Sequence, residues 1–282
     1  MKWLSDRTVD HLRQVAEWPD LTGTKYEVVA ELARGGMGTI YIARDRELDR
    51  EVAVKVLSGP GTQEARILAR LEHPGIVPVH DVGTLPDGRV FYVMKLVRGR
   101  RLDEWGREQA LGERLRAFQK LCEAVAFAHA HGVIHRDLKP ENIMVGAFGE
   151  VLVMDFGVAV AGTPGYMAPE QERGEVDERS DVYALGVILK YLAGEDAPKP
   201  LQAVWGRAMA AAHDERYAGV QELSSEVGRY VAGDRVLAYR EGLLERAGRV
   251  AARHRTAVLL VLAYLLMRLL LLLFLGRAEP RP

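Results

Sequence analysis

The stretch His135-Arg136-Asp137-Leu138-Lys139-Pro140-Glu141-Asn142 constrains this chain more than any other. Within eight residues it sets a carboxylate that can take a proton, a cation that can neutralise a phosphate and an amide that can offer oxygen to a metal. Thirteen residues after Asn142 stands Asp155-Phe156-Gly157, preceded by the apolar run Val151-Leu152-Val153-Met154. Either segment alone could arise by chance. Both together, in this order and at this spacing, rarely do.

The rest of the chain divides by pattern. From Tyr26 short β-branched runs alternate with turn residues: Tyr26 to Ala33, Thr39 to Arg44, Glu51 to Leu57, Ile76 to Val82 and Arg89 to Val97, the last two joined by Pro86-Asp87-Gly88. Thr62 to Leu71 reads as a short helix with Thr62 as N-cap, ended by His73-Pro74-Gly75. From Leu102 helical periodicity dominates. Residues 1–25 are expected as a helical lead-in ending at Trp18-Pro19-Asp20, with no readable role.

Two further segments bear on chemistry. Ala33-Arg34-Gly35-Gly36-Met37-Gly38-Thr39-Ile40-Tyr41 lies between two expected strands, and on its own it reads as a plain hairpin turn. Val52-Ala53-Val54-Lys55 follows, its lysine in isolation an edge charge. In the helix after it, Ile67, Leu68 and Leu71 lie three, four and seven positions beyond Glu64, which puts Glu64 on the apolar face. A carboxylate there wants a cation, although a first-turn acid favoured by the helix dipole is the alternative.

In combination these motifs resemble those of protein kinases, and within that family the bacterial membrane-anchored serine/threonine kinases. The resemblance covers Tyr26 to Val236. It implies an α+β, bilobal fold, with a β-rich N-lobe at 26–97, a helical C-lobe at 98–238 and nucleotide between them. By resemblance, Ala33, Gly35, Gly36 and Gly38 form the glycine-rich loop over the phosphates, with Ala33 standing where the family has its first glycine. Lys55 holds the α- and β-phosphates and pairs with Glu64. Ala53, Met94 (the gatekeeper position), Lys95 and Val97 meet adenine. Asp137 accepts the substrate hydroxyl's proton, Lys139 neutralises the transferring group, and Thr163 bridges the two. Asn142 and Asp155 hold Mg2+. Arg136 would pair with an activation-loop phosphate in regulated members, Glu170 with Arg216, and Asp181 would brace the catalytic loop. Lys139, two residues after Asp137, marks the serine/threonine class. ATP is the implied cofactor and proteins with Ser/Thr acceptors are the implied partners.

Two departures stand out. Only Val158 to Ala161 separates the magnesium loop from Gly162, with no hydroxyl to phosphorylate, and Leu192 to Leu201 leaves little room for a substrate-docking helix. A rival metal site at His129, His131 and His135 is disfavoured, because their spacing does not put all three on one helical face.

Charge is uneven although the net is −1: from Arg240 onward eight arginines face three acids, +5, which leaves −6 for the rest. That argues against nucleic acid as a partner and for a basic segment, 239–255, beside a membrane. Thr256 to Gly276 carries eleven leucines and one charge, Arg268. At roughly −0.5 kcal/mol per leucine against roughly +3 for the arginine, insertion is favourable, so one transmembrane helix is expected at 256–276, followed by a short tail, 277–282. Arg246, Arg249, Arg253 and Arg255 before it, against Arg277 and Arg281 after it, place the kinase lobe in the cytoplasm. Lipid is therefore an expected partner, and a homodimer formed through 256–276 a further one that no motif marks. Met1-Lys2-Trp3 leads into polar residues, so no signal peptide is expected. Cys122 is the only cysteine and reads as a buried, inert thiol.

The function expected is ATP-dependent protein serine/threonine phosphorylation from a single-pass membrane anchor. The alternative is a nucleotide-binding pseudokinase or a membrane scaffold with little or no transfer.

Overall fold

The computed structural model describes residues 18–36, 38–58, 66–156 and 162–275. Its N-terminal lobe is an antiparallel sheet of β1 (Tyr26–Gly35), β2 (Gly38–Asp45), β3 (Arg50–Leu57), β4 (Val79–Thr84) and β5 (Val90–Lys95), in the order β1-β2-β3-β5-β4. Strand β3 shows why Lys55 points where it does. Val52, Val54 and Val56 lie on one face with Tyr26, Tyr41, Phe91 and Val93, whereas Ala53 and Leu57 belong to the core shared with the second lobe. Strand side chains alternate, so Lys55 shares the inward face with Ala53 and Leu57.

The outer face is closed by Leu21 and Trp18. Residues 18–25, where the lead-in is expected to end, form bends and turns. Pro19 and Gly23 (φ 83°) break helix there, and Asp20 Oδ1 accepts from Thr22 N at 2.9 Å. Residues 1–17 lie outside the described residues.

Strand β4 also starts later than Ile76. Ile76 makes an isolated parallel bridge to Val153, and Pro78, with no N–H to give, offers β5 only its carbonyl, so the ladder with β5 begins at Val79. Of the expected helix Thr62–Leu71, Arg66–Leu68 is helical and the segment closes in a turn, with Leu71 N donating to Leu68 O. Thr62 and Glu64 lie outside the described residues.

The second lobe begins with β6 (Gly99–Arg101) and α1 (Leu102–Gly106). Its spine is α2 (Leu111–Ala130), which buries Leu115, Phe118, Leu121, Cys122, Val125 and Ala128, a stripe at helical spacing. Cys122 is fully buried, which pushes its thiol up and leaves it protonated. Strands β7 (Ile143–Gly146) and β8 (Val151–Val153) join β6 in a small sheet beneath the cleft. Helices α3 (Glu178–Ala193) and α5 (Val220–Val231) pack on α2, and α4 (Lys199–Ala208) packs on α3 and α5. Helix α3 is capped by Asp177, which accepts from Arg179 N at 2.9 Å, and ends at Gly194 in a positive-φ conformation. One apolar core runs from Ala53, Leu68 and Met94 through Leu138, Leu152 and Phe156 into these helices, so the lobes share their interior.

Beyond the lobe, α6 (Leu243–Arg253) carries most of the basic segment, and its Arg249 guanidinium bonds Glu241, just before the helix, at 2.8 and 2.9 Å. It leads through His254 to α7 (Arg255–Leu275). Among the described residues, no helix is long and apolar enough to cross a membrane. The transmembrane helix expected at 256–276 is thus not borne out among the described residues.

Candidate active site

Asp137 is the centre of the site. Its carboxylate is buried, and it receives Lys139 Nζ on Oδ2 at 2.6 Å, and Thr163 Oγ1 and Thr163 N on Oδ1 at 2.6 and 2.9 Å. Lys139 Nζ also donates to Thr163 Oγ1 at 2.6 Å, which closes a triangle. Burial alone would raise the Asp137 carboxyl, but the Lys139 and Thr163 hydrogen bonds outweigh it and hold the group below the usual carboxylate range. Asp137 is therefore an anion at neutral pH, next to a cation.

The loop bearing it is fixed from below by Asp181 in the first turn of α3. Asp181 Oδ2 accepts from His135 N at 2.8 Å and Oδ1 from Arg136 N at 3.0 Å, while His129 Nε2 donates to Oδ2 at 2.7 Å. His135 is fully buried, and burial pushes its pKa down despite nearby carboxylates. The neutral ring donates from Nε2 to Met154 O at 2.8 Å and accepts Asp137 N at Nδ1, 3.3 Å away. The three histidines thus serve different partners, since His131 Nδ1 bonds Phe127 O at 2.8 Å. Arg136 itself has φ 71°, a left-handed conformation that a non-glycine residue takes at a cost.

Asn142 meets Asp155 through the small sheet. The β7–β8 pairing of Ile143 with Val153 is extended by Met154 N donating to Asn142 O at 2.9 Å, so Asn142 lies across from the residue before Asp155. Asn142 Nδ2 donates to Asp137 O at 2.9 Å and Asp137 Oδ2 at 3.3 Å. That turns its amide oxygen outward, where it accepts from no described residue. Asp155, with φ 58°, receives Lys55 Nζ on Oδ1 at 2.8 Å and leaves Oδ2 without a described donor. Two hard oxygens, Asn142 Oδ1 and Asp155 Oδ2, therefore remain, a donor pair of the kind that suits a hard divalent cation. Phe156 is buried against the His135 ring, centroids 4.6 Å apart.

The remaining expected residues line the roof. Ala53 and Met94 face each other across β3 and β5, both buried. Lys95 follows Met94, but its N–H already donates to Pro78 O at 3.1 Å, so of its backbone pair only the carbonyl is left for a ligand. Val97 lies past the end of β5. Gly35 and Gly38 are register partners at the tip of the β1–β2 hairpin, and Ala33 pairs with Ile40 behind them. A Cβ on Gly35 or Gly36 would touch nothing, which leaves that backbone open to a phosphate. Gly38 differs. At φ 146° its Cβ would lie 2.1 Å from Val56 O, so glycine is needed there for the hairpin to close onto β3. The loop is a tight hairpin and an open backbone at once.

A second polar cluster supports the segment after Thr163. Glu170 takes Arg216 in two parallel bonds, 2.6 and 2.8 Å, and Ser180 Oγ at 3.0 Å. Burial would raise the Glu170 carboxyl, but the Arg216 guanidinium outweighs it and brings the pKa to about 2. Sequence reasoning paired Glu170 with Arg216 and Asp181 with the loop. It missed Ser180 on Glu170, His129 on Asp181, and Gln171, whose place three residues after Ala168 is a helix-start spacing that could have flagged it.

A strand-rich lobe over a helical one, with the Asp137 carboxylate, Lys55, Lys139 and two unclaimed oxygens in the seam, defines a bilobal class of architecture. Residues 26–227 match the protein kinase domain family, and the chain belongs to that family. Among similar proteins are the serine/threonine-protein kinases PknD of Chlamydia pneumoniae, 31% identical over 74% of this chain and 31% of the relative, and of Chlamydia trachomatis serovar D, 31% identical over 74% and 32%. The chain thus spans about a third of the length of the curated relatives it matches.

Proposed function

We propose that this chain is a protein serine/threonine kinase that transfers the γ-phosphate of Mg-ATP and is held at a membrane by residues 256–276. The triangle of Asp137, Lys139 and Thr163 carries the catalytic half of that reading. Asp137 is ionised and stands ready to accept a hydroxyl proton. Lys139 sets positive charge beside the oxygen that attacks and the group that moves. Thr163 fixes both, from the segment along which a substrate chain would lie. Asn142 and Asp155 would hold Mg2+, which when bound neutralises phosphate charge. Lys55 keeps Asp155 in place and, from the inward face of β3, lies under the hairpin of Gly35 to Gly38.

Membrane attachment is supported by α7. Leu259 to Leu272 are all exposed, an apolar surface far larger than a water-facing helix carries. The arginine bias before it favours a cytoplasmic kinase lobe facing lipid from that side. Two chains joined through α7 would give control a route.

The test is the full chain in detergent with labelled ATP, Mg2+ and a generic protein substrate. Transfer to Ser/Thr supports the kinase reading. Nucleotide binding without transfer points to a pseudokinase, and neither points to a scaffold. Resistance of the full chain to alkaline carbonate extraction supports the span, whereas release by salt alone indicates surface attachment.

A further inference from the structure

We propose that Gln171 is a positioning residue that sets the catalytic loop by gripping the carbonyl of Arg136, the residue before Asp137; this rests on the kinase reading above. Gln171 Nε2 donates to Arg136 O at 3.0 Å, and Gln171 Oε1 accepts from Ala168 N at 2.8 Å. Only one orientation of the amide satisfies both bonds, since its oxygen must face an N–H and its nitrogen a carbonyl. One side chain therefore ties the end of the short segment after the magnesium loop to the loop that carries the catalytic carboxylate.

The point it grips is the one that needs holding. Arg136 sits at φ 71°, and such a backbone persists only where its surroundings over-determine it. On the N–H side Asp181 Oδ1 accepts from Arg136 N at 3.0 Å. On the carbonyl side the described holder is Gln171. Both ends of the segment close on this carbonyl, because a Cβ on Gly162 would lie 3.0 Å from Arg136 O and 3.4 Å from Gln171 Nε2. The base of Gln171 is itself anchored, since Glu170 beside it is clamped by Arg216 and Ser180. Residues 157–161 contain no hydroxyl, so added phosphate there cannot supply the hold instead.

The experiment uses the full chain with Gln171→Ala and Gln171→Glu. Glutamate keeps the oxygen that Ala168 N needs but turns an acceptor toward Arg136 O when ionised, and a donor when protonated. At pH 8, Gln171→Glu should lose roughly tenfold in kcat, with KM for ATP little changed. Its activity relative to wild type should rise as pH falls through the ordinary glutamate range, where Asp137 is still ionised. Gln171→Ala should lose similarly at every pH, and its Ala168 amide should exchange hydrogen several-fold faster. A flat ratio for Gln171→Glu, or an unchanged Ala168 amide in Gln171→Ala, overturns the proposal. The exchange arm does not depend on transfer. Inactive wild type with a fast Ala168 amide in Gln171→Ala would therefore sink the kinase reading while upholding the amide orientation that turns Nε2 toward Arg136 O.

Discussion

Thr163 Oγ1 stands 2.6 Å from Asp137 Oδ1, so the segment that would present a substrate is bonded to the group that would take its proton. Replacing Asp137 by asparagine keeps the shape and much of the bonding but removes the proton acceptor. Asp137→Asn should leave nucleotide binding within about twofold and lower kcat by about 10^2 to 10^4. Thr163→Ala, which loosens the triangle without removing the base, should cost less, roughly tenfold to a hundredfold. Nucleotide titration and initial rates on the same preparations decide it; an Asp137→Asn protein that transfers normally would remove Asp137 from the mechanism.

Lys55 and Asp155 are joined at 2.8 Å, which predicts that the two act on different halves of Mg-ATP yet depend on each other. Asp155→Asn should weaken nucleotide binding strongly with Mg2+ and little without it, because a charged oxygen ligand is lost. Lys55→Met should weaken binding under both conditions. Isothermal titration with and without chelator separates these outcomes, and equal losses for Asp155→Asn in both buffers would argue against Asp155 as a ligand.

The grouping of this site's residues was legible in the sequence because it is carried by linear motifs. Lys55, Asp137, Lys139, Asn142, Asp155 and Thr163 all announce themselves by local spacing, and the lobes by a switch from period 2 to period 3.6. What was not legible depends on the chain folding back. Nothing near Gln171 says that its amide will meet Arg136, 35 residues earlier. Nothing near His129 points to Asp181. Leu21 and Trp18 could not be read as the cover of the sheet, since that requires knowing which face of β3 is left open. The late start of β4 was readable in principle, from Pro78 alone.

Glu170 and Arg216 make a pH prediction. The folded carboxyl sits at about 2, below its ordinary 4.5, so folding favours the ionised form. That contribution is complete above pH 4.5 and is lost as pH falls toward 2. The shift corresponds to up to about 3 kcal/mol. Arg216→Met, which leaves a buried carboxylate unpaired, should be less stable than wild type by about 3–5 kcal/mol at pH 7. The gap should narrow between pH 4.5 and pH 2, as read by urea unfolding at several pH values. A gap that stays constant through this window would mean that another group carries the effect.

Phosphate on Thr163 should inhibit rather than activate. The Thr163 hydroxyl is already committed, donating to Asp137 and accepting from Lys139. A phosphate there would set close to two negative charges against the Asp137 carboxylate and draw Lys139 away from it. Between residues 155 and 170 the only hydroxyls are those of Thr163 and Tyr166, so the segment has no other site for an activating Ser/Thr phosphate. Phosphatase-treated protein should therefore begin transfer without a lag, and mass spectrometry should find no phosphate on Thr163 in the active form. Thr163→Glu should be inactive, while Thr163→Ser, which keeps the hydroxyl, should retain most activity. A lag that prior autophosphorylation at Thr163 abolishes would overturn this, because it would require the triangle with Asp137 and Lys139 to form only after the hydroxyl has been consumed.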